Sequence, residues 1–188
     1  NLMTTSSIDK LCELNDPYTN NPERDALFVE AVKENYAFQL EKQPFIRYLA
    51  NQRHFHIDRL KTIAGIADIP PLFVGIMKIN TFCNFEENDI QMVLTSSGTK
   101  GQKTQSFFDA ASLNRLSSLA LKCFHACGWT SAVPAHFFVM GYNIEEAKNL
   151  GTSWSNNQLL SLAPNKSVNW TILKDDKGEF NFDYAYWE

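Results

Sequence analysis

Apolar positions recur at helical spacing through the N-terminal part of the chain and at strand spacing beyond it. Between 22 and 42, Leu27, Val29, Ala31, Val32, Tyr36 and Leu40 follow the helical period, which predicts an amphipathic helix. Asn21 followed by Pro22 suits an N-cap and a first helical residue. Pro44 opens a second predicted helix carrying Phe45, Tyr48 and Leu49. Residues 57–69 read as a short helical turn with Asp58 as its cap. Ile69-Pro70-Pro71-Leu72 must then be extended, because each proline disfavours helix in the residue before it. Residues 73–79 fit either a short helix or a strand.

Strand signals begin at 90–95 and return at 104–108. Asp109 or Ser112 can cap the helix that follows. Leu113, Leu116, Ala120, Cys123, Phe124 and Cys127 mark its buried face, and Gly128 ends it. Residues 136–140 form a short apolar strand stopped by Gly141, and 156–163 form a helix with Pro164 beyond it. The runs 168–173 and 179–184 flank Asp175-Asp176-Lys177-Gly178, a hairpin signal. The polar residues 1–20 read as an arm on the surface. The whole is an α/β protein: a helical N-terminal region, then a mixed sheet with flanking helices.

The 188 residues are 44% hydrophobic and 20% charged, enough apolar surface for a packed core. A net charge of −4 argues against a nucleic-acid-binding surface. Cys12, Cys83, Cys123 and Cys127 do not form a disulfide framework, so cytosolic thiols and a cytoplasmic location are expected. No apolar run is long enough to span a membrane. Tyr186-Trp187-Glu188 closes the chain on two aromatics that would need a surface to pack on, which leads to the expectation that the chain is truncated.

The segment with most chemistry is Thr95-Ser96-Ser97-Gly98-Thr99-Lys100-Gly101-Gln102-Lys103. Gly98 and Gly101 allow sharp turns and close approach of the backbone to a ligand. Turned amides form an anion nest, hydroxyls add adjustable donors, and Lys100 and Lys103 bring positive charge to phosphate oxygens. No nucleophile stands beside a base, so the chemistry is phosphate holding and no catalytic residue is assigned. A Walker A loop aligned on Lys103-Thr104 would need glycine where Ser97 and Gln102 stand. The segment follows the Ser/Thr/Gly-rich loop of adenylate-forming enzymes instead. Lys100 occupies a hydroxyl position of that pattern, and Lys103 comes one residue early without the preceding proline. A polar surface turn between two strands is the competing reading.

Other candidates are weaker. Cys123 and Cys127 share a helix face while His125 points away, which favours core packing over a metal site. His54 and His56 alternate around Phe55 without a nearby Cys, Asp or Glu partner, so no metal is expected there. His136 opens a strand near a sheet edge, and Gly141-Tyr142 follows the strand. Glu86, Glu87 and Asp89 read as solvated surface.

Residues 95–101 closely resemble the loop of the LuxE-type long-chain acyl-protein synthetases, including the lysine at 100. Upstream, Leu60-Lys61-Thr62-Ile63, Asp68-Ile69-Pro70-Pro71 and Met77-Lys78 are similar to a second stretch of that family in order and spacing, with Met77 replacing Phe. The resemblance implies that residues 21–188 are the N-terminal portion of an adenylate-forming large domain. It implies ATP with Mg2+ as cofactors and activation of a fatty acid or other carboxylic acid as an acyl-adenylate. The acyl group would pass to an enzyme cysteine and on to an acceptor protein such as a fatty acyl reductase. The later motifs and that acyl-accepting cysteine have no counterpart here, so the fragment alone should be inactive. An acyl- or aryl-coenzyme A ligase shares the loop and the first half-reaction. A non-catalytic binding module with the same fold is the alternative outside enzymes.

Overall fold

A computed structural model describes residues 6–18, 20–95, 104–143, 145–147 and 151–184. The longest helix, α2 (Pro22–Lys42), starts as its sequence dictates. The Asn21 side chain accepts from the Arg24 amide at 2.7 Å, and Pro22 occupies the first turn where no amide is missed. Helix α3 (Pro44–Gln52) follows after one linking residue, Gln43. Two 3-10 turns, Ile57–Arg59 and Ala64–Asp68, carry the chain back over α2. Asp58 lies inside the first turn and does not cap it; the flanking position is the extended His56.

These pieces converge on Val29, Phe55 and Leu60, with Val32, Tyr36, Ile57, Ile66 and Ile69 around them. Leu60 is wholly buried, and Tyr36 meets Phe55 edge to face at 5.3 Å between ring centroids. The two prolines hold the next stretch extended, after which the ambiguous segment resolves as helix α4 (Val74–Ile79).

Within the polar N-terminal segment, residues Ser7–Glu13 form helix α1, whose Ser6 cap accepts from the Asp9 amide at 3.0 Å. Helix α1 packs on α2 and on α5 (Ala110–Ala126). The Ser7 amide donates to Glu34 at 2.7 Å, Arg115 Nε donates to Asp9 at 2.6 Å, and Lys122 Nζ donates to the Cys12 carbonyl at 2.6 Å. The hydrophobic pattern gave no sign of this helix, because polar tethers dock it.

Strands β1 (Met92–Thr95) and β2 (Gln105–Phe108) form an antiparallel pair. Asp109 then caps α5 through the Ser112 amide at 2.8 Å. Gly128, at φ +73°, ends α5 as expected. The Trp129 amide reaches back to the Phe124 carbonyl and the Gly128 amide to that of His125, a Schellman closure with the two aromatic rings stacked across it. The apolar stripe of α5 is less buried than its period implies: Leu116 and Cys127 are exposed.

The second sheet has the order β3 (Ala135–Tyr142), β4 (Asn165–Lys174), β5 (Phe180–Phe182), parallel then antiparallel, hence mixed. Gly141 does not end β3; the strand continues through it to Tyr142. The glycine serves close approach instead, since a Cβ there would run into the Asn156 side chain of α6 (Gly151–Leu159). Helix α6 begins earlier than its sequence suggests and ends in a 3-10 turn, Leu160–Leu162. The β4–β5 hairpin turns where expected, with Gly178 at φ +82° and Asp175 Oδ1 accepting from the amides of Lys177 and Glu179.

Two outcomes follow. Leu60→Ala should cost about 2–5 kcal/mol in chemical denaturation, the range for emptying a packed leucine site; a loss well under 1 kcal/mol would mean this cluster is not the helical core. Hydrogen bonds from Arg115 and Ser6 hold the Asp9 carboxyl below the ordinary aspartate range. A depressed acid contributes stability above its unfolded pKa and loses it as pH falls through its folded pKa. Asp9→Asn should therefore speed amide exchange in α1 at neutral pH, and the difference from the unaltered protein should vanish below the ordinary aspartate range.

Candidate functional site

Thr95 and Gln105 are register partners at the open end of the β1–β2 pair. Between them runs the predicted phosphate loop, so the pairing brings the loop's two stems side by side. Thr95 itself is half-buried at the end of β1. Ser96, Ser97, Gly98, Thr99, Lys100, Gly101 and Lys103 lie outside the described residues.

Strand β2 forms one wall of a cavity of about 830 Å³. The opposite walls come from α2, from the extended Pro-Pro segment and from residues 82–85. Its surface is largely apolar: Phe38, Ile46, Leu72, Met77, Phe82 and Phe107 all contribute. Residues 82–85 are fixed to α2 and to the Gln43 link by amides. Buried Gln43 donates to the Cys83 carbonyl at 3.0 Å and to Asn84 Oδ1, while Asn84 Nδ2 donates to Gln39 at 2.9 Å. Buried side-chain amides are costly unless paired, so this network pins the wall in one position. A second space of about 360 Å³ continues between α1 and α2, sharing Ile8, Asn35, Tyr36, Gln39 and Ile69 with the first.

The charged groups on the cavity lining are Glu34, Asp109 and Arg115. Glu34 accepts from the Ser7 amide. Burial works to raise the Asp109 pKa, but hydrogen bonds from the Ser112 hydroxyl and amide together hold it below the usual range. The Asp9 hydrogen bond raises the Arg115 pKa, so that guanidinium stays charged and committed to its partner. The lining therefore carries two carboxylates and one paired cation, a poor place for a further anion.

The upstream block singled out in the sequence meets the loop stem at this cavity: Ile69, Pro70, Pro71 and Met77 line it together with Gln105. The sequence reading missed the cavity as such. The Pro-Pro pair, which forces an extended wall, and Met77, a flexible apolar side chain, were its available signals.

Other candidates are placed elsewhere or engaged. His136 Nδ1 lies 2.7 Å from Ser167 Oγ across β3 and β4. Cys123 is half-buried, while Cys127 is exposed with its sulfur 3.8 Å from the Tyr18 hydroxyl. Hydrogen bonding with Cys127 and then Cys123 pushes the Tyr18 pKa up to about 12. His54 takes a positive φ of 49°, and His56 flanks a turn without a side-chain capping bond. Glu86, Glu87 and Asp89 are exposed, the last two in a 3-10 turn, Glu87–Asp89. Tyr142 packs edge to face on Phe180 at 4.7 Å. Among the described residues, no three His, Cys, Asp or Glu side chains are grouped to hold a metal ion, and no helix is long and apolar enough to cross a membrane.

The same fold occurs in solved ligases. A 2-hydroxyisobutyryl-CoA ligase in the postadenylation state, in complex with 2-HIB-AMP, superposes with a TM-score of 0.60 at 13% identity; the match covers 84% of this chain and 35% of that one. An open conformation of the ligase in complex with 2-HIB-AMP and CoA gives 0.59 at 13% identity, covering 82% and 38%. The chain thus spans little more than a third of the length of these structural relatives. No curated protein matches the sequence. The family described as "Acyl-protein synthetase, LuxE" matches residues 1–184, and the chain belongs to that family.

Proposed function

We propose that this chain is the N-terminal, phosphate-holding portion of an ATP-dependent acyl-protein synthetase, and that residues 95–101 and Lys103 are its nucleotide-binding segment. The observation that carries the reading is the coincidence of the family match with the β1–β2 stem, whose paired ends Thr95 and Gln105 frame that segment. The substrate is a carboxylic acid, and within this family's chemistry a fatty acid. Its carboxylate oxygen attacks the α-phosphorus of ATP; the bond from that phosphorus to the β-phosphate bridging oxygen breaks, releasing pyrophosphate and leaving an acyl-adenylate. A cysteine thiolate then attacks the acyl carbon, AMP leaves, and the acyl group moves on to an acceptor protein such as a fatty acyl reductase. The site is cytoplasmic on this reading.

What these residues contribute is position and charge. Backbone amides at Gly98 and Gly101 and the hydroxyls of Thr95, Ser96, Ser97 and Thr99 suit the β- and γ-phosphates. Lys100 and Lys103 offset the negative charge that leaves with pyrophosphate. Mg2+ would accompany the triphosphate and help offset its charge; among the described residues no group of three His, Cys, Asp or Glu is placed to hold it, and a nucleotide-bound Mg2+ seldom needs a dedicated protein cage.

A coenzyme A ligase is the second reading, favoured by the ligases that share this fold. Hydroxamate trapping on the full-length protein, with and without coenzyme A, separates the two: strong dependence on coenzyme A counts against the acyl-protein reading. Pyrophosphate exchange across a panel of carboxylic acids tests activation itself, and silence from folded full-length protein favours a non-catalytic binding module. In that exchange assay Lys100→Ala or Lys103→Ala should each lower the rate about a hundredfold, the usual loss when one transition-state charge partner is removed. Full exchange by the double variant would remove the loop from the mechanism.

A further inference from the structure

We infer that Cys123 and Cys127, at the end of α5, form a binding site for a soft monovalent cation, Cu(I), backed by the Tyr18 hydroxyl. The inference is independent of the activation reading and uses none of the residues that line the cavity.

Core packing is the ordinary use of a helical cysteine, and here it does not apply: Cys127 is exposed and Cys123 only half-buried. Four residues apart, the two share one face of the last turn of α5. That turn is intact, since the Cys127 amide donates to the Cys123 carbonyl at 3.0 Å. One group outside the helix reaches both. The Tyr18 hydroxyl lies 3.8 Å from the Cys127 sulfur and also hydrogen-bonds with Cys123. Both sulfurs therefore face a common point. Tyr18 is itself held in place, because its amide donates to Asp16 Oδ1 at 2.8 Å.

Geometry decides among the uses of such a pair. A direct disulfide needs Cβ atoms about 3.5–4.5 Å apart, whereas helix neighbours four apart hold them about 5–6 Å apart. A metal atom inserted between the sulfurs makes up the difference. Among the described residues no third His, Cys, Asp or Glu completes a metal-binding group here, and His125 Nδ1 is engaged 2.9 Å from Thr130 Oγ1. A structural Zn2+ needs four such donors. Cu(I) is soft, selects thiolates and, as a closed-shell ion, accepts a near-linear pair of them. Each thiol gives up its proton to solvent on binding, so the two sulfurs carry one more negative charge than the ion offsets. The Tyr18 O–H donates to a sulfur and partly compensates that charge, and outer hydrogen bonds of this kind orient metal ligands. Binding also ties the segment between α1 and α2, to which Tyr18 belongs, to the end of α5.

The test is competition for Cu(I) between bathocuproine disulfonate and the reduced full-length protein, without oxygen. The unaltered protein should retain a Cu(I) that the Cys123→Ser, Cys127→Ser double variant surrenders. Tyr18→Phe should weaken retention about tenfold, as loss of an outer hydrogen-bonding partner does, and Cys127→Ser, which removes a ligand, at least about a hundredfold. Cys127 is exposed, so its variant guards against a folding failure at the half-buried Cys123. Equal retention by the unaltered protein and folded Cys127→Ser, or no retention by the unaltered protein, would overturn the inference. Zn2+ binding that depends equally on the two cysteines would overturn the choice of ion.

Discussion

The docking of one short helix conditions the rest of this structure. Helix α1 has only seven residues, too few to persist alone in water, yet it touches both α2 and α5. Its polar tethers run from Ser7 to Glu34, from Asp9 to Arg115 and from the Cys12 carbonyl to Lys122. Singly, such half-exposed contacts contribute little. Together they join the helical N-terminal layer to the helix that follows the β1–β2 pair.

Around that junction, packing and polar pairing divide the work. The cluster of Val29, Phe55 and Leu60 stabilises the helical layer through burial. The Gln39–Asn84–Gln43 amides give residues 82–85 a fixed position, which burial alone would not specify. Asp109 links both ends of the candidate site: it starts α5, carries charge on the cavity wall, and directly follows β2. Residues of the upstream block that carries part of the family resemblance, Ile69, Pro70, Pro71 and Met77, line this cavity together with Gln105 of β2.

Much of the fold was legible in local chemistry. Asn21-Pro22, Asp109, Gly128 and Gly178 each mark a boundary where the backbone has one inexpensive solution, and the structure follows it. Patterns that depend on distant partners were read less well. Asp58 looked like a cap because nothing local revealed that Ile57 would begin the turn. Gly141 looked like a strand end because only the approach of Asn156, from a helix further along the chain, gives it another purpose. Cys127 fell on an apolar period yet is exposed, since periodicity reports a face and not what covers it.

The sequence by itself determined the α/β class, the starts of α2, α3 and α5, the β4–β5 turn and the composition of the candidate phosphate loop, because these rest on backbone preferences acting over a few residues. Tertiary structure alone decided that α1 exists, that Gly141 lies within a strand, and that Pro70, Met77 and Gln105 face a common cavity. Those outcomes depend on contacts between residues distant in the chain, which no local preference encodes.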